Sequence, residues 1–237
     1  MLWEKKLVLC SPIFFPCIGY WQLINAVDRY VIFDDVNFIK GGWISRNKIL
    51  INGAGHLINL PLHKASQNKL INEIEIINDA YTVGKILKKI ESAYKKAPYY
   101  NEAFPVLEKI ITQDEKNLAK YLEYLIKEIC QYLSIETKIF VSSRIKKKQG
   151  LKGQDRIIEI CKTLQAKLYI NAIGGKDLYH HEEFNHHGIK LRFLKTGDIS
   201  YHQANHIFVP NLSIIDVMMF NERNETQEML NKYELID

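Results

Sequence analysis

Apolar runs and helical patterns alternate near the start of the chain. Residues 7–10 form a continuous apolar run that ends at Ser11-Pro12, which is typical of a buried strand entering a loop. From Ile18 the apolar residues recur at close to helical spacing, and residues 29–33 form a second buried run. This order predicts a strand, a helix and a second strand, which in a parallel sheet are joined by a right-handed crossover.

The middle of the chain is predicted to be mostly helical after a hairpin. Asn52-Gly53 separates two apolar runs, which is a strong hairpin signal. Beyond it the patterns predict a strand at residues 71–77, an amphipathic helix at 82–94 and helical structure over 101–132 with a break near 112–114.

The last part of the chain returns to strands that alternate with helices. Predicted strands lie at residues 138–141, 168–170 and 190–194, and predicted helices lie at 155–164 and 213–220. Ser213 is the predicted N-cap of the final helix, and Asp216 completes a capping box with Asp in place of Glu. We therefore predict one α/β domain over residues 1–237, with a mostly parallel sheet built from βα units, a helical insertion at 79–134 and a small β-hairpin.

Composition and charge narrow the class of protein. Apolar residues make up 47% of the chain and charged residues 25%, as in a globular protein that folds without disulfides or a structural metal. The net charge is +5, and the dense run Lys146-Lys147-Lys148 is either a solvated loop or a site for phosphate, nucleotide or an anionic membrane surface. The chain has no long basic helix or Arg-rich arm, so nucleic acid is not expected as a partner.

Cysteine spacing and the N-terminal segment exclude further classes. No pair has CxxC spacing, so neither a zinc site nor a thioredoxin-type motif is predicted; the cysteines are Cys10, Cys17, Cys130 and Cys161. Cys17 is a candidate nucleophile, because a helix N-terminus lowers the pKa of a thiol. The neighbouring histidine pairs lack partners for a tetrahedral set, so no metal site is predicted. The apolar run before Pro12 is too short for a signal peptide or a membrane span, which predicts a cytoplasmic protein.

The loop after the first strand is the first candidate site. Ligands of open α/β sheets bind beyond the carboxyl ends of the strands. Pro16, Gly19 and Tyr20 lie at such an end, where a helix start offers free N–H groups suited to phosphate or carboxylate. We predict that they bind substrate; the alternative is a Pro/Gly turn that packs a pair of phenylalanines.

Two carboxylates and a histidine are the candidates for acid–base chemistry. Asp34 and Asp35 end the second predicted strand, and such a pair favours Mg²⁺ binding, base catalysis or binding of a hydroxyl. His63 is a further candidate base. The alternatives are a loop-capping Asp pair and an ordinary polar histidine.

Three residues further along the chain could contact a ligand through a ring, a charge and an amide. Trp43 offers a flat apolar face, and Arg46 binds phosphate or carboxylate with fixed geometry beside Asn47. We predict that all three bind substrate; the alternative is a surface Arg on a strand edge.

Two later segments complete the predicted site. Asn171 and Gly174-Gly175 follow a predicted strand and mark a tight turn at its carboxyl end. The remaining candidates surround the start of the final helix; they are Tyr201, Gln203, Ser213 and Asp216. The last two either cap that helix or contact ligand at its N-terminus.

These motifs together resemble a known family. In chain order they are Pro12-x-Phe14-Phe15-Pro16-x-x-Gly19-Tyr20, Asp34-Asp35-Val36-x-Phe38, Trp43-Ile44-x-Arg46-Asn47, Pro61-Leu62, Ala97-Pro98-Tyr99-Tyr100, Ser142-Ser143, Tyr169-x-Asn171-x-x-Gly174-Gly175 and Phe208-x-Pro210-x-Leu212-Ser213-Ile214-Ile215-Asp216. The set closely resembles the WbqC-like family, which is associated with bacterial O-antigen and other surface-polysaccharide biosynthesis. The family usually has Gln where Ser11 stands and an aromatic residue where Cys17 stands, so roles of those side chains do not transfer. The opening unit is also similar to nucleotidyltransferase-type α/β folds, without their His-x-Gly-His arrangement.

The resemblance and the polar, Gly-punctuated sheet edge predict a transferase. It would modify a small-molecule substrate, a nucleotide-linked amino sugar, by acyl or aminoacyl transfer. An Asp or His63 would deprotonate the amine, Arg46 would hold a phosphate, and Asn171 with the N–H groups of the glycine turn would stabilise a developing oxyanion.

Two other classes of function stay open. One is a nucleotide-using enzyme that carries out adenylation or nucleotidyl transfer with Mg²⁺ on an Asp. The other is a non-catalytic binding protein of the polysaccharide assembly machinery, in which the aromatic helix at residues 118–133 forms an interface; the alternative is that this helix is simply part of the core. A homo-oligomer is a separate possibility.

Overall fold

Helices cover both faces of a six-stranded sheet in the computed structural model, which describes residues 4–204 and 207–237. The strands are β1 (Lys6–Cys10), β2 (Arg29–Ile32), β3 (Arg46–Ile51), β4 (Ala54–Asn59), β5 (Leu62–His63), β6 (Glu75–Ile76), β7 (Lys138–Val141), β8 (Leu168–Ala172), β9 (Lys190–Thr196) and β10 (Tyr233–Ile236). The helices are α1 (Ile18–Asn25), α2 (Ala80–Tyr94), α3 (Tyr100–Ile111), α4 (Leu118–Tyr132), α5 (Gly153–Thr163), α6 (His181–His186), α7 (Ile214–Phe220) and α8 (Arg223–Met229).

The sheet is mostly parallel. Its strand order is β10-β9-β8-β1-β2-β7, and β10 alone pairs antiparallel with its neighbour. Leu7 lies opposite Arg29 in the parallel pair of β1 and β2, with α1 between these strands in the chain. The α/β class, the mostly parallel sheet and the strand–helix–strand unit are therefore confirmed.

Successive side chains of β1 point to opposite faces of the sheet and pack in two separate hydrophobic cores. Val8 packs with α1 residues such as Trp21 in the larger core, whereas Leu7 and Leu9 pack with Phe184 of α6 in the smaller one. Helices α1 and α6 thus cover opposite faces of the sheet. The chain leaves β1 toward β2 and leaves β8 toward β9, so a topological switch point lies between β1 and β8.

The segment between β6 and β7 is helical, and its helices begin at polar caps. Asp79 Oδ1 accepts from Thr82 N at 2.9 Å, and Asn117 Oδ1 accepts from Lys120 N at 3.1 Å. Helices α3 and α4 are separate, as the sequence predicted. The apolar side of α4 is fully buried in the larger core, at Leu122 for example, so this side does not offer the predicted docking surface.

Several predicted elements change in the structure. The hairpin of β3 and β4 is confirmed, and Asn52 and Gly53 both have positive φ, as its tight turn requires. The predicted strand at 71–77 is wrong: the Glu73 carboxylate accepts from Leu70 N at 2.8 Å and closes a 3-10 turn, so only Glu75–Ile76 is extended. The sequence reasoning did not identify α6, α8 or β10.

Two further observations bear on the predicted N-terminal segment and on membranes. Residues 1–3 of that segment lie outside the described residues. None of the helices in the described part of the chain is both long and apolar enough to cross a bilayer.

Candidate functional site

A cavity of about 670 Å³ opens at the carboxyl ends of β1, β8 and β9, beside the start of α1. It thus lies at the topological switch point, where open α/β sheets bind their ligands. The residues that line it are Leu9, Cys10, Ser11, Ile13, Pro16, Cys17, Gly19, Tyr20, Leu23, Phe33, Trp43, Asn47, Asn171, Ala172, Ile173, Gly175, Leu178, Tyr179, Leu194, Thr196 and Asn211.

The wall of the cavity is apolar inside and carries no formal charge. Leu9, Leu23 and Leu194 are almost fully buried, whereas Trp43 and Leu178 are 47% and 69% exposed and mark the mouth. Within residues 4–204 and 207–237, no Asp, Glu, Lys, Arg or His lines this wall. Polar chemistry in the cavity therefore rests on amides, hydroxyls, thiols and backbone groups.

The first predicted loop forms one side of the cavity. Pro16 O accepts from Trp21 Nε1 at 3.1 Å and from Ile214 N at 2.9 Å, which ties the loop to α1 and α7. The Tyr20 hydroxyl donates to Ser11 O at 3.2 Å. Pro16 and Tyr20 thus have fixed positions in the wall.

Gly19 and Cys17 also line this side of the cavity. A Cβ at Gly19 would lie 2.7 Å from Thr196 Oγ1, so glycine allows α1 to approach the end of β9. Burial raises the pKa of the Cys17 thiol, which works against its formation of a nucleophilic thiolate.

Asn171 presents an amide donor in the opposite wall. It lies at the carboxyl end of β8, and its Oδ1 accepts from Ala172 N at 2.7 Å. This bond turns Nδ2 toward Gly175, where a Cβ would lie 2.9 Å from the nitrogen and 3.4 Å from the Tyr179 ring. An amide NH₂ has two donors, so one N–H remains for a ligand when the other faces Tyr179. Gly174 does not line the cavity, and a Cβ there would meet no atom within 4 Å.

Trp43 and two cations form the lip of the cavity. The Arg46 guanidinium lies 5.6 Å from the centroid of the Trp43 ring, and Lys48 Nζ lies 5.9 Å from it. Arg46 also donates to Gly41 O. Asn47 lines the wall below, held by its donation to Phe14 O at 3.2 Å. The cavity is therefore uncharged inside and positive at one edge of its mouth.

Asp34 is placed outside the cavity wall. It is 2% exposed, and its carboxylate accepts from Ser143 N at 2.9 Å, from Ser143 Oγ at 2.6 Å and from Asn72 Nδ2 at 3.3 Å. These bonds join the end of β2 to the turn after β7. The geometry matches the alternative that the sequence left open, a loop-capping carboxylate, and does not support a base or a Mg²⁺ ligand.

Asp35 is also outside the cavity wall, in a mostly buried ion cluster. Its carboxylate pairs with Lys147 Nζ at 2.9 Å and with the Arg156 guanidinium. Burial raises the pKa of Asp35, but the ion pair with Lys147 and the charge of Arg156 outweigh it and hold the pKa below its ordinary value. Because Lys147 is committed to this pair, the basic run 146–148 is not simply a solvated loop.

His63 lies away from the cavity on β5. Its side chain is half exposed, and Nδ1 is 3.7 Å from the Glu75 carboxylate across the pair of β5 and β6. The structure thus brings none of the three predicted acid–base residues to the cavity.

Asp216 is the centre of a buried polar network. Its carboxylate accepts from Tyr94 at 2.8 Å, from Tyr201 at 2.7 Å and from Gln203 Nε2 at 2.7 Å. Burial raises the pKa of Asp216, and these three donors lower it only in part. The network holds the segment before α7, in which Asn211 lines the cavity.

Ser213 caps α7, as predicted, and anchors the first loop. Its Oγ accepts from Ile215 N at 3.2 Å and donates to Phe15 O at 2.8 Å. The predicted capping box is wrong, because Asp216 binds the network above and Ser213 N donates to Lys48 O instead. Ser213 and Asp216 therefore support the site from behind and do not line it.

Sequence reasoning missed two polar residues of the wall. Thr196 ends β9, and Asn211 has a positive φ within the Phe208–Leu212 motif segment. The signal for Thr196 was its position just past a predicted strand that also ends at this edge. For Asn211 the signal was the Asn itself between Pro210 and Leu212, because Asn adopts the left-handed backbone conformation more readily than most other residues.

The fold and the cavity define the class first: an α/β protein with a candidate ligand site at the switch point of a mostly parallel sheet. Within that class the chain belongs to the WbqC-like protein family, whose family model matches residues 11–228. It is 25% identical over 229 residues to the uncharacterized protein Rv1507c of Mycobacterium tuberculosis, which covers 95% of this chain and 97% of that protein. No solved structure gives a significant match.

Proposed function

We propose that this WbqC-like protein is an enzyme of bacterial surface-polysaccharide biosynthesis, such as that of O-antigen. It transfers an acyl or aminoacyl group to the amine of a nucleotide-linked sugar within the cavity. The observation that carries this proposal is the Asn171 amide, a fixed donor at the switch point in a wall without formal charge.

The uncharged wall suits acyl transfer to an amine. A neutral amine attacks an activated carbonyl without prior loss of a proton, so the step needs no carboxylate or imidazole in the wall. Charge develops on the carbonyl oxygen, and a preorganised N–H donor stabilises that oxyanion most in a site of low dielectric. Asn171 supplies such a donor in place of the bases predicted at Asp34, Asp35 and His63.

The mouth suits a nucleotide-linked substrate. Trp43 presents a half-exposed ring that can stack on a base or a sugar face, and Arg46 and Lys48 place positive charge beside it for phosphates. A volume of about 670 Å³ falls within the range of ligand pockets, roughly 300–1,000 Å³. The nucleotide would thus occupy the lip, with the amino sugar directed toward Asn171.

Nucleotidyl transfer on an Asp-bound Mg²⁺ does not fit the residues present. Asp34 is saturated by Ser143 and Asn72, and Asp35 is neutralised by two cations. No group of three His, Cys, Asp or Glu residues that could hold a metal occurs in the described part of the chain. We therefore favour acyl transfer over the nucleotidyl reaction.

The test measures binding and turnover with defined probes. UDP-glucosamine should raise the melting temperature of the protein, and with acetyl-coenzyme A it should release free thiol. Asn171→Ala should lower the rate of thiol release by roughly 10²-fold, as for removal of an oxyanion donor, while Asn101→Ala on the exposed face of α3 should not. No thermal shift with UDP- or dTDP-linked amino sugars, together with no thiol release, would refute the proposal.

A further inference from the structure

The interior of the cavity is too apolar to be explained by a sugar alone. Sugars present hydroxyls on every side, and burying a hydroxyl without a hydrogen-bond partner is unfavourable. The lining instead offers Leu23 and Leu194 on the face of the sheet that α1 covers, and Leu9 with Phe33 on the face that α6 covers. Such a lining fits a chain of methylene groups.

We propose that this interior holds the acyl group of the donor, and that the donor is a thioester of a phosphate-bearing thiol. This inference rests on the proposed function and adds the chemical class and the binding mode of the acyl donor. The acyl chain lies against Leu23 and Leu194, and a phosphate of the thiol carrier meets Lys48 at the lip, which leaves Arg46 for the phosphates of the nucleotide-linked acceptor.

The gradient of polarity along the wall supports this orientation. The leucines are buried, Asn171 is 9% exposed, and Trp43 with its two cations is at the mouth. A phosphate-bearing acyl thioester has the same order of groups: an apolar chain, a carbonyl and then an anionic carrier. The carbonyl would therefore fall in the amide-bearing part of the wall.

The Phe33 side of the interior is fixed by the ion cluster behind it. The Arg156 guanidinium lies 4.8 Å from the centroid of the Phe33 ring, and Asp35 holds that guanidinium. This support keeps an aromatic wall in place without putting a charge into the cavity. The rigidity favours selection of acyl chains by length.

The reaction balances with this donor. The amine nitrogen of the sugar attacks the thioester carbon, a C–N bond forms, and the carbonyl electron pair moves to the oxygen that Asn171 faces. Collapse of this intermediate breaks the C–S bond, and the departing thiolate takes the proton lost by the nitrogen. The products are an amide and a free thiol, with no oxidant or reductant consumed.

Affinity for a series of acyl-coenzyme A probes tests the apolar interior directly. Dissociation constants for acetyl-, butyryl-, hexanoyl- and octanoyl-coenzyme A should fall by roughly fourfold per added methylene until the cavity is full, which corresponds to ~0.8 kcal/mol per CH₂. Leu23→Phe should move the maximum to a shorter chain, whereas Leu57→Phe on exposed β4 should not. A dissociation constant that does not change with chain length in the unmodified protein overturns the proposal, even if Leu23→Phe fails to fold.

The phosphate contact needs a separate binding experiment, because the phosphates of a nucleotide sugar could meet the same cations. Hexanoyl-coenzyme A should bind at least tenfold more tightly than hexanoyl-pantetheine, which lacks phosphate, and Lys48→Gln should remove much of that difference. Lys120→Gln, exposed on α4, is the matched control. Equal affinity for the two thioesters would overturn the phosphate contact.

The two proposals fail in different ways. If acyl-coenzyme A binds with chain-length dependence but UDP- and dTDP-linked amino sugars do not bind, the donor site stands and the sugar acceptor is wrong. If a nucleotide-linked amino sugar binds with affinity that Leu23→Phe lowers, and no acyl thioester binds, the acceptor occupies the interior and the donor site is refuted.

Discussion

Asn171 and Gly175 approach each other so closely that a Cβ at position 175 would lie 2.9 Å from Asn171 Nδ2. The glycine thus makes room for the amide that the proposed chemistry uses. The adjacent Gly174 has open space around its α-carbon, which provides a matched comparison within one turn.

Gly175→Ala should displace the Asn171 amide and lower thiol release by about tenfold or more, because a shift of about 1 Å at a catalytic donor is costly. Gly174→Ala should leave the rate within about twofold. Steady-state rates of both variants, with melting temperatures to check folding, provide the measurement. Equal rates in the two variants would show that the position of the amide does not matter.

Trp43→Ala should weaken binding of UDP-glucosamine by about tenfold, since a stacking surface at the lip is lost, which corresponds to ~1.4 kcal/mol. The ring is 47% exposed, so the free energy of unfolding should change much less than for a core aromatic residue. Calorimetric titration measures the affinity and urea denaturation the stability. Unchanged affinity would show that Trp43 at the lip does not contribute to binding.

Asp35→Asn should destabilise the protein by roughly 2–4 kcal/mol at neutral pH, because Lys147 and Arg156 would lose their counter-ion in a mostly buried site. The folded pKa of Asp35 is lowered, so its stabilisation is complete above the unfolded value of about 3.9 and is lost as pH falls through the folded pKa. The difference in free energy of unfolding between wild type and variant should therefore become smaller at acidic pH. Denaturation curves across this pH range test it, and a constant gap would contradict it.

Asp216→Asn should show the opposite dependence on pH. The folded pKa of Asp216 is raised, so the folded state binds a proton more tightly than the unfolded state and loses stability as pH rises from about 4 through the folded pKa. The stability of wild type relative to the variant should decrease over that window. The same denaturation series measures this, and an increasing difference with pH would show that hydrogen bonds from Tyr94 and Tyr201 outweigh burial.

His63→Ala should change neither thiol release nor the affinity for UDP-glucosamine. The side chain is half exposed on β5 and does not line the cavity, so stability should also stay within about 0.5 kcal/mol. Kinetics and melting temperature of this one variant suffice. A large loss of rate would place the catalytic base at His63 and the reaction outside the cavity.

Local patterns were sufficient for the sheet and for much of the cavity. Continuous apolar runs gave the parallel strands, because strands buried on both faces have few polar positions. Pro16, Gly19 and Asn171 were found because polar or small residues just beyond such strands meet at one edge. The strands and the residues just beyond their ends could be predicted because both depend on residues that are close together in the sequence.

The roles of the predicted site carboxylates depend on contacts that no local pattern reveals. Asp34 is bound by Ser143, which is 109 residues away, and Asp216 is bound by Tyr94, which is 122 residues away. A carboxylate at a strand end is the same in sequence whether it faces a ligand or a distant partner. The predicted strand at 71–77 was wrong for a related reason, since one hydrogen bond from Leu70 N to Glu73 selects a turn.

The most direct test of the account is a crystal structure of the protein soaked with UDP-glucosamine. We expect density for the ligand at the switch point between β1 and β8, with the nucleotide beside Trp43 and the amino sugar within hydrogen-bond reach of Asn171. Density bound instead beside Asp35 or His63, with the cavity free of ligand, would contradict it.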